Sequence, residues 1–64
     1  MWVTTQEGQL VNLDQAQFIG VQEQKVFAAF DVGRSVVLVE GAPGESLKRL
    51  AAALNDGTAH IDLR

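Results

Sequence analysis

Apolar and polar residues in the first forty positions form short segments, and turn-forming residues separate these segments about every ten positions. Five segments rich in β-branched, aromatic or other apolar residues are predicted strands, at residues 2–5, 10–13, 16–21, 26–30 and 36–39. Gly8 supplies the first turn, and Gly20 indicates a bulge or a close crossing. This pattern predicts an antiparallel, strongly twisted β-meander of about five strands over residues 1–40.

The hydrophobic period changes after residue 40. Leu47, Leu50, Ala51 and Leu54 are spaced i, i+3, i+4 and i+7, which is the apolar stripe of an α-helix. Pro43 suits a first helical turn, and the residues at 55–57 are typical of a helix end, so the helix is predicted over residues 43–55. The tail at 58–64 alternates apolar and polar side chains and is either a short edge strand or a frayed terminus. Residues 1–64 are therefore predicted to form a single α+β domain.

The strands at 26–30 and 36–39 are apolar on both faces and are joined by a turn containing Gly33. One helix covers only part of one sheet face. The second face therefore packs on a twofold-related copy of the chain, or the sheet curls into a half-open barrel with the helix at one end. We favour a dimer because Phe27 and Phe30 have opposite parity and both need burial. The predicted interface residues are Trp2, Phe27, Val37 and Val39.

Size, charge and composition favour association and limit the classes of partner. A chain of 64 residues buries only ~60% of its unfolded surface, and the absence of cysteine excludes disulfides as a support. A net charge of −3 with five dispersed cations makes nucleic acid an improbable partner. No apolar run reaches the ~20 residues of a membrane span, so we expect a cytoplasmic protein with no membrane contact.

The candidate chemical motifs all have simpler structural interpretations. Residues 41–46 could place backbone amides around an anion at a helix start, but Glu45 stands near where a phosphate-binding loop requires lysine. His60 and Asp62 share one face of the predicted tail strand without a nucleophile beside them. The single histidine and the scattered carboxylates do not have the spacing of metal ligands. The sequence therefore predicts no catalytic, cofactor-binding or metal-binding residue.

The four aromatic residues are interpreted mainly as structural. Trp2 is a core anchor, an interface residue or a ring for stacking a ligand, in decreasing order of preference. Phe18, Phe27 and Phe30 are most simply core residues.

Several features follow one another in a characteristic order along the chain. They are residues Met1 to Thr4, the turn at Gly8, residues 11–14 followed by Phe18 and Ile19, the hairpin with Gly33, and Val39-Glu40 leading to a helix with Glu45 and Leu47. In this order the chain resembles small bacterial flagellar-operon proteins over residues 1–54. The resemblance implies a four- or five-stranded meander followed by one helix, and an accessory role in a bacterium.

We therefore expect a non-enzymatic, oligomeric protein that acts through protein–protein contacts. One alternative is a nucleic-acid-binding regulator. Another is a subunit that completes a ligand-binding or active site across an interface, for which Asp14, Glu40 and His60 are the candidate acid–base residues.

Overall fold

The computed structural model describes all 64 residues and has a mixed α+β fold: two three-stranded sheets and one α-helix. The first sheet has the order β2-β1-β6, and the second has the order β3-β4-β5. The elements are β1 (Trp2–Thr4), β2 (Leu10–Asn12), a 3₁₀ turn (Leu13–Gln15), β3 (Phe18–Gln22), β4 (Lys25–Asp31), β5 (Arg34–Glu40), α1 (Pro43–Asn55) and β6 (His60–Asp62). The α+β class with a single C-terminal α-helix is confirmed.

The prediction of one continuous five-stranded meander is wrong because the chain changes direction after β2. The 3₁₀ turn begins at Leu13, which is buried, and the Asn12 side chain accepts a hydrogen bond of 3.0 Å from the backbone N–H of Asp14. This Asx-type bond competes with further strand pairing, so β3 starts a separate sheet. The free edge of β1 is instead paired in parallel by β6, with Trp2 aligned to His60.

The strand register between β4 and β5 is irregular at two places, Leu38 and Phe30, and the β-bulge at Leu38 sets which side chains of β5 face inward. Val26 of β4 is aligned with Val39 of β5, but the next residue, Phe27, is aligned with Val37. Leu38 is therefore the extra residue, and Leu38 and Val39 are both buried. A strictly alternating strand would bury only one of these two neighbours.

Gln6 connects the first sheet to the second. Its backbone N–H donates to the carbonyl of Leu38 at 2.8 Å. Its side-chain Oε1 accepts the backbone N–H of Glu40 at 3.0 Å, and its Nε2 donates to the carbonyl of Glu40 at 3.5 Å. The side-chain amide thus occupies the place of a neighbouring strand along the end of β5.

Helix α1 begins and ends with identifiable backbone geometry. Its N-cap, Ala42, has a left-handed conformation with φ 41° and makes no side-chain capping bond. At the other end Gly57 has φ 70°, its N–H donates to the carbonyl of Leu54, and the N–H of Thr58 donates to the carbonyl of Ala53. These two bonds form a Schellman motif, which turns the chain back toward β6.

The helix buries a different stripe from the one predicted by the spacing of its leucines. Its buried residues are Ser46, Leu50 and Ala53, whereas Leu47, Ala51 and Leu54 are exposed. The helix packs against β4 and β5. The small side chains of Ser46 and Ala53 allow the helix backbone to lie close to these two strands. The exposed side chains of Leu47 and Leu54 lie at the margins of this contact.

The hydrophobic core lies between the inner faces of the two sheets and the helix. Eight buried residues form one cluster: Val3, Leu13, Val26, Ala28, Leu38, Val39, Leu50 and Leu63. Phe30 is partly buried and packs against this cluster. The helix is too short and too polar to cross a lipid bilayer.

The β3–β4 turn is a site for stabilisation. Its two central residues, Glu23 and Gln24, have φ of 52° and 67°, the geometry of a type I′ hairpin. We expect the double substitution Glu23→Asn/Gln24→Gly to increase the free energy of unfolding by about 1 kcal/mol, because Asn and Gly adopt positive φ at lower cost. Urea denaturation monitored by Trp2 fluorescence measures this change.

The control is Glu7→Asn, which introduces the same asparagine into a turn at a residue whose φ is not positive. We expect it to leave the unfolding midpoint within experimental error. An equal gain in both variants would show that the positive-φ geometry of the β3–β4 turn is not the source of the stabilisation.

Candidate interaction surface

The side of the second sheet that points away from the core carries exposed apolar side chains. Alternation from the buried Val26 and Ala28 places Phe27 and Ala29 on this side. The strand register then adds their neighbours on β3 and β5. We call this surface the outer face, and it consists of Phe18, Gly20, Phe27, Ala29, Ser35 and Val37.

Two phenylalanine rings form the centre of the outer face. The rings of Phe18 and Phe27 meet edge to face, with centroids 5.9 Å apart and an interplanar angle of 79°. Gly20 lies under the Phe27 ring, because a Cβ atom at residue 20 would stand 2.8 Å from Phe27 Cζ. Phe18 is nevertheless 57% exposed and Val37 is 48% exposed. The two rings thus pack on each other while much of the surface of Phe18 contacts water.

Charged pairs lie at both ends of the β4–β5 hairpin. At one end Lys25 Nζ is 3.8 Å from a carboxylate oxygen of Glu40, and at the other Arg34 Nη1 is 3.8 Å from a carboxylate oxygen of Asp31. All four side chains are substantially exposed, so each pair contributes at most ~1 kcal/mol to folding. The β4–β5 hairpin is therefore apolar along its middle and carries a balanced pair of charges at each end.

The structure brings together only two of the four predicted interface residues. Phe27 and Val37 are directly aligned on β4 and β5. Trp2 is 46% exposed but lies on the first sheet, and Val39 is buried in the core because of the bulge at Leu38. The interpretation of Phe18 as a core residue is wrong, because its place at the edge strand β3 leaves the ring exposed.

The acid–base candidates are engaged in surface contacts and do not converge. His60 Nε2 shares a hydrogen bond of 2.8 Å with the Thr4 hydroxyl, while Asp62 is bound by Arg64. Asp14 pairs with the Met1 ammonium group, and Glu40 pairs with Lys25. No three His, Asp or Glu side chains lie close enough together to hold a metal ion.

Asp62 is the residue whose ionisation the fold perturbs most clearly. Hydrogen bonds from the Arg64 side chain, of 2.8 and 3.1 Å, and from the Arg64 backbone N–H, of 2.9 Å, lower the pKa of Asp62 from 3.8 to about 2. The same side-chain bonds raise the pKa of Arg64. This pair fixes the end of β6 and does not touch the outer face.

No family model, curated protein or solved structure matches this chain.

Substitution of Gly20 tests the support beneath the Phe27 ring. We expect Gly20→Ala to lower the free energy of unfolding by about 1 kcal/mol, because the new methyl group must displace the ring. Loss of the nuclear Overhauser contacts between the rings of Phe18 and Phe27 should accompany this change.

Gly44→Ala is the matched control, since a Cβ there meets no atom within 4 Å and its φ is not positive. As a Gly→Ala change in a helix, it should raise the free energy of unfolding by up to ~1 kcal/mol. Unchanged ring contacts and unchanged stability in Gly20→Ala would contradict the role assigned to Gly20.

The Asp62–Arg64 pair makes a prediction for pH. Because the folded-state pKa of Asp62 is depressed, its contribution to stability is present above its unfolded value of 3.8 and is lost as the pH falls through about 2. Titration of the Asp62 carboxyl carbon by NMR should give a midpoint near 2, and Arg64→Gln should move this midpoint toward 3.8. Lys48→Gln removes a cation outside the pair and should leave the midpoint in place.

Proposed function

We propose that this protein is a non-enzymatic interaction protein whose outer face docks a protein surface. The observation that carries the proposal is the apolar group formed by the exposed Phe18 and Val37 and the half-buried Phe27, on a sheet face that the core does not use. Aromatic residues, phenylalanine included, are enriched in the buried centres of protein–protein interfaces.

The arrangement of charges favours a protein partner over a nucleic acid. Lys25, Arg34 and Arg64 are each paired with a carboxylate of the same chain, and Arg49 donates to the backbone carbonyl of Asp62. Phosphate contacts need clustered cations, whereas apolar rings with balanced charges around them suit a protein surface. Three of the five Lys and Arg side chains are therefore engaged within the chain by carboxylates, which leaves few cations for phosphate contacts.

Site-specific photocrosslinking in cells of the source organism tests the proposal. A photoreactive benzoylphenylalanine is placed at residue 37 on the outer face, and in a separate variant at residue 52. Ala52 is exposed on the helix, away from the outer face. We expect residue 37 to give discrete protein adducts at least about tenfold more abundant than those from residue 52, because an apolar docking surface holds its partner in contact.

Mass spectrometry of the adducts identifies the partner, whether it is this chain or another protein. Equal labelling from the two positions, or no adduct from residue 37, would contradict docking on the outer face.

A further inference from the structure

We infer that strand β3 pairs edge to edge with β3 of a second copy of this chain. The two copies of the second sheet then form one continuous sheet of six strands, related by a twofold axis perpendicular to the sheet and beside Gly20. This pairing uses the backbone of the sheet edge and leaves the outer face open. The inference therefore goes beyond the proposed function and does not depend on it.

The free edge of β3 is the least protected sheet edge in the molecule. On the other side of the same sheet, β5 has a bulge, and Gln6 occupies its end. In the first sheet, β2 has only three residues, and Arg49 donates to the backbone carbonyl of Asp62 on β6 at 3.3 Å. β3 has five residues, Phe18–Gln22, and pairs with only one strand, β4. Unpaired backbone groups along such an edge are a template for a further strand.

The composition of β3 lacks the features that normally keep a sheet edge from pairing. Native proteins protect exposed edges with charged side chains, proline or very short strands. The segment from Gln15 to Gln22 contains no charged residue and no proline. An identical strand therefore approaches this edge without bringing like charges together.

The hydrogen-bond pattern of the β3–β4 hairpin fixes which backbone groups of β3 point outward. Gln22 and Lys25 flank the two-residue turn and form a hydrogen-bonded pair. The Gln24 carbonyl accepts an N–H from the residue that follows β5, in agreement with its neighbour Lys25 facing β3. Hydrogen-bonded positions alternate with non-bonded ones, so the backbone groups of Ile19 and Val21 point away from β4. None of the hydrogen bonds from turns, loops or caps reaches either residue.

These outward groups select one register for the two copies of β3. A pairing centred on Gly20 sets Ile19 opposite Val21 of the second copy, and each such pair exchanges two backbone hydrogen bonds. A pairing centred on Ile19 would require the N–H of Gln17, which already donates to a carbonyl of β4 at 2.8 Å. A pairing centred on Val21 would require Glu23, whose φ of 52° belongs to a turn and not to an extended strand. The register centred on Gly20 uses only residues of the strand.

Apolar side chains on the inner side of the joint support this register. Ile19 and Val21 lie opposite the buried Ala28 and Val26, so they face the core side of the sheet. Val21 is nevertheless 47% exposed, because β3 has no neighbouring strand on that side. In the dimer Val21 lies beside Ile19 of the second copy, and cross-strand pairs of apolar residues stabilise a sheet.

The Phe27 ring extends the apolar contact on the outer side of the joint. A Cβ atom on Gly20 would stand 2.8 Å from Phe27 Cζ, so the tip of the ring lies over β3. Residues directly opposite on neighbouring strands have Cβ positions ~5 Å apart. Gly20 lies opposite Gly20 of the second copy, so the tips of the two Phe27 rings meet at the axis. A strand of a different protein would satisfy the backbone groups of β3 but would not bring this second ring to the axis.

The length of the joint sets the strength of the dimer. The five residues of β3 form an edge that is ~17 Å long and buries roughly 300 Å² on each copy. Stable complexes bury ~800 Å² of accessible surface on each partner. We therefore expect a reversible dimer with a dissociation constant on the order of 10 to 500 µM.

Sedimentation equilibrium of the purified full chain from about 5 µM to 2 mM tests the inference, because this range spans the expected dissociation constant. Val21→Lys places a charge at the joint, which is how natural sheet edges resist pairing. We expect it to raise the dissociation constant at least on the order of tenfold, because the ammonium group loses water beside Ile19 of the second copy.

Val37→Lys is the matched control for this substitution. Val37 is 48% exposed, nearly the same as Val21, but it lies on β5, away from the joint. This variant should leave the dissociation constant unchanged within experimental error. Circular dichroism checks that both variants are folded.

The register has a direct NMR readout that needs no substitution. In a mixture of isotopically labelled and unlabelled chains at about 2 mM, an isotope-filtered nuclear Overhauser spectrum detects only contacts between copies. Opposed Cα atoms of a non-hydrogen-bonded pair are ~4.5 Å apart, which brings their Hα atoms into contact. We expect a cross-peak between the Hα atoms of Gly20 in the two copies.

A chain that stays monomeric to about 2 mM overturns the inference, because the expected dimer is the main species at that concentration. A dimer that lacks the Gly20 contact, or that Val21→Lys fails to weaken, also overturns it. So does a dimer that Val37→Lys weakens equally or more, since such a dimer associates through the outer face.

The proposed docking function is judged separately from the edge pairing. Residue 37 lies on β5, which β4 separates from β3, so its adducts report contacts of the outer face. A different protein captured there by a monomeric chain would leave the docking function standing. A dimer with the Gly20 contact but no adduct from residue 37 would uphold only the edge pairing.

Discussion

The β-bulge at Leu38 is the local constraint on which most of the structure depends. It turns Leu38 and Val39 inward together, so the core gains two large side chains from one short stretch of β5. It also leaves Val37 aligned with Phe27 on the opposite side of the sheet. The backbone groups of Leu38 and Glu40 receive Gln6, which joins the two sheets at the same place. One irregular residue thus determines the core, the outer face and the connection between the sheets.

The sequence predicted the local elements better than their assembly. Pro43 and Gly57 mark the helix ends through fixed or positive φ, and such signals act over a few residues. The pairing of β1 with β6 depends on a contact between distant segments, which periodicity does not encode. The same limit applies to the candidate surface. Phe27 and Val37 were correctly assigned to the outer face by strand parity. Val39 was wrongly assigned to the same face, because a bulge reverses the parity and has no clear signal in the sequence.

The exposure of Phe18 was missed for a related reason. An apolar residue in a predicted strand is usually assigned to the core, and only the register shows which side it faces. That register follows from the two-residue turn at Glu23 and Gln24, neither of which is a residue that normally indicates such a turn. Gly20, which lies across from Phe27, was the sequence signal available for the packing on this side of the sheet. Glycine within a strand often lies where another group approaches closely.

The parallel pairing of β1 and β6 has a consequence for the order of folding. Trp2 and His60 are 58 positions apart (60 − 2), so this contact closes a loop almost as long as the chain. The hairpins of the second sheet join residues close in sequence and need far less loop closure. We therefore expect β3, β4 and β5 to assemble before the first sheet is complete. The aromatic surface would then be presented to other molecules while the rest of the polypeptide is still unstructured.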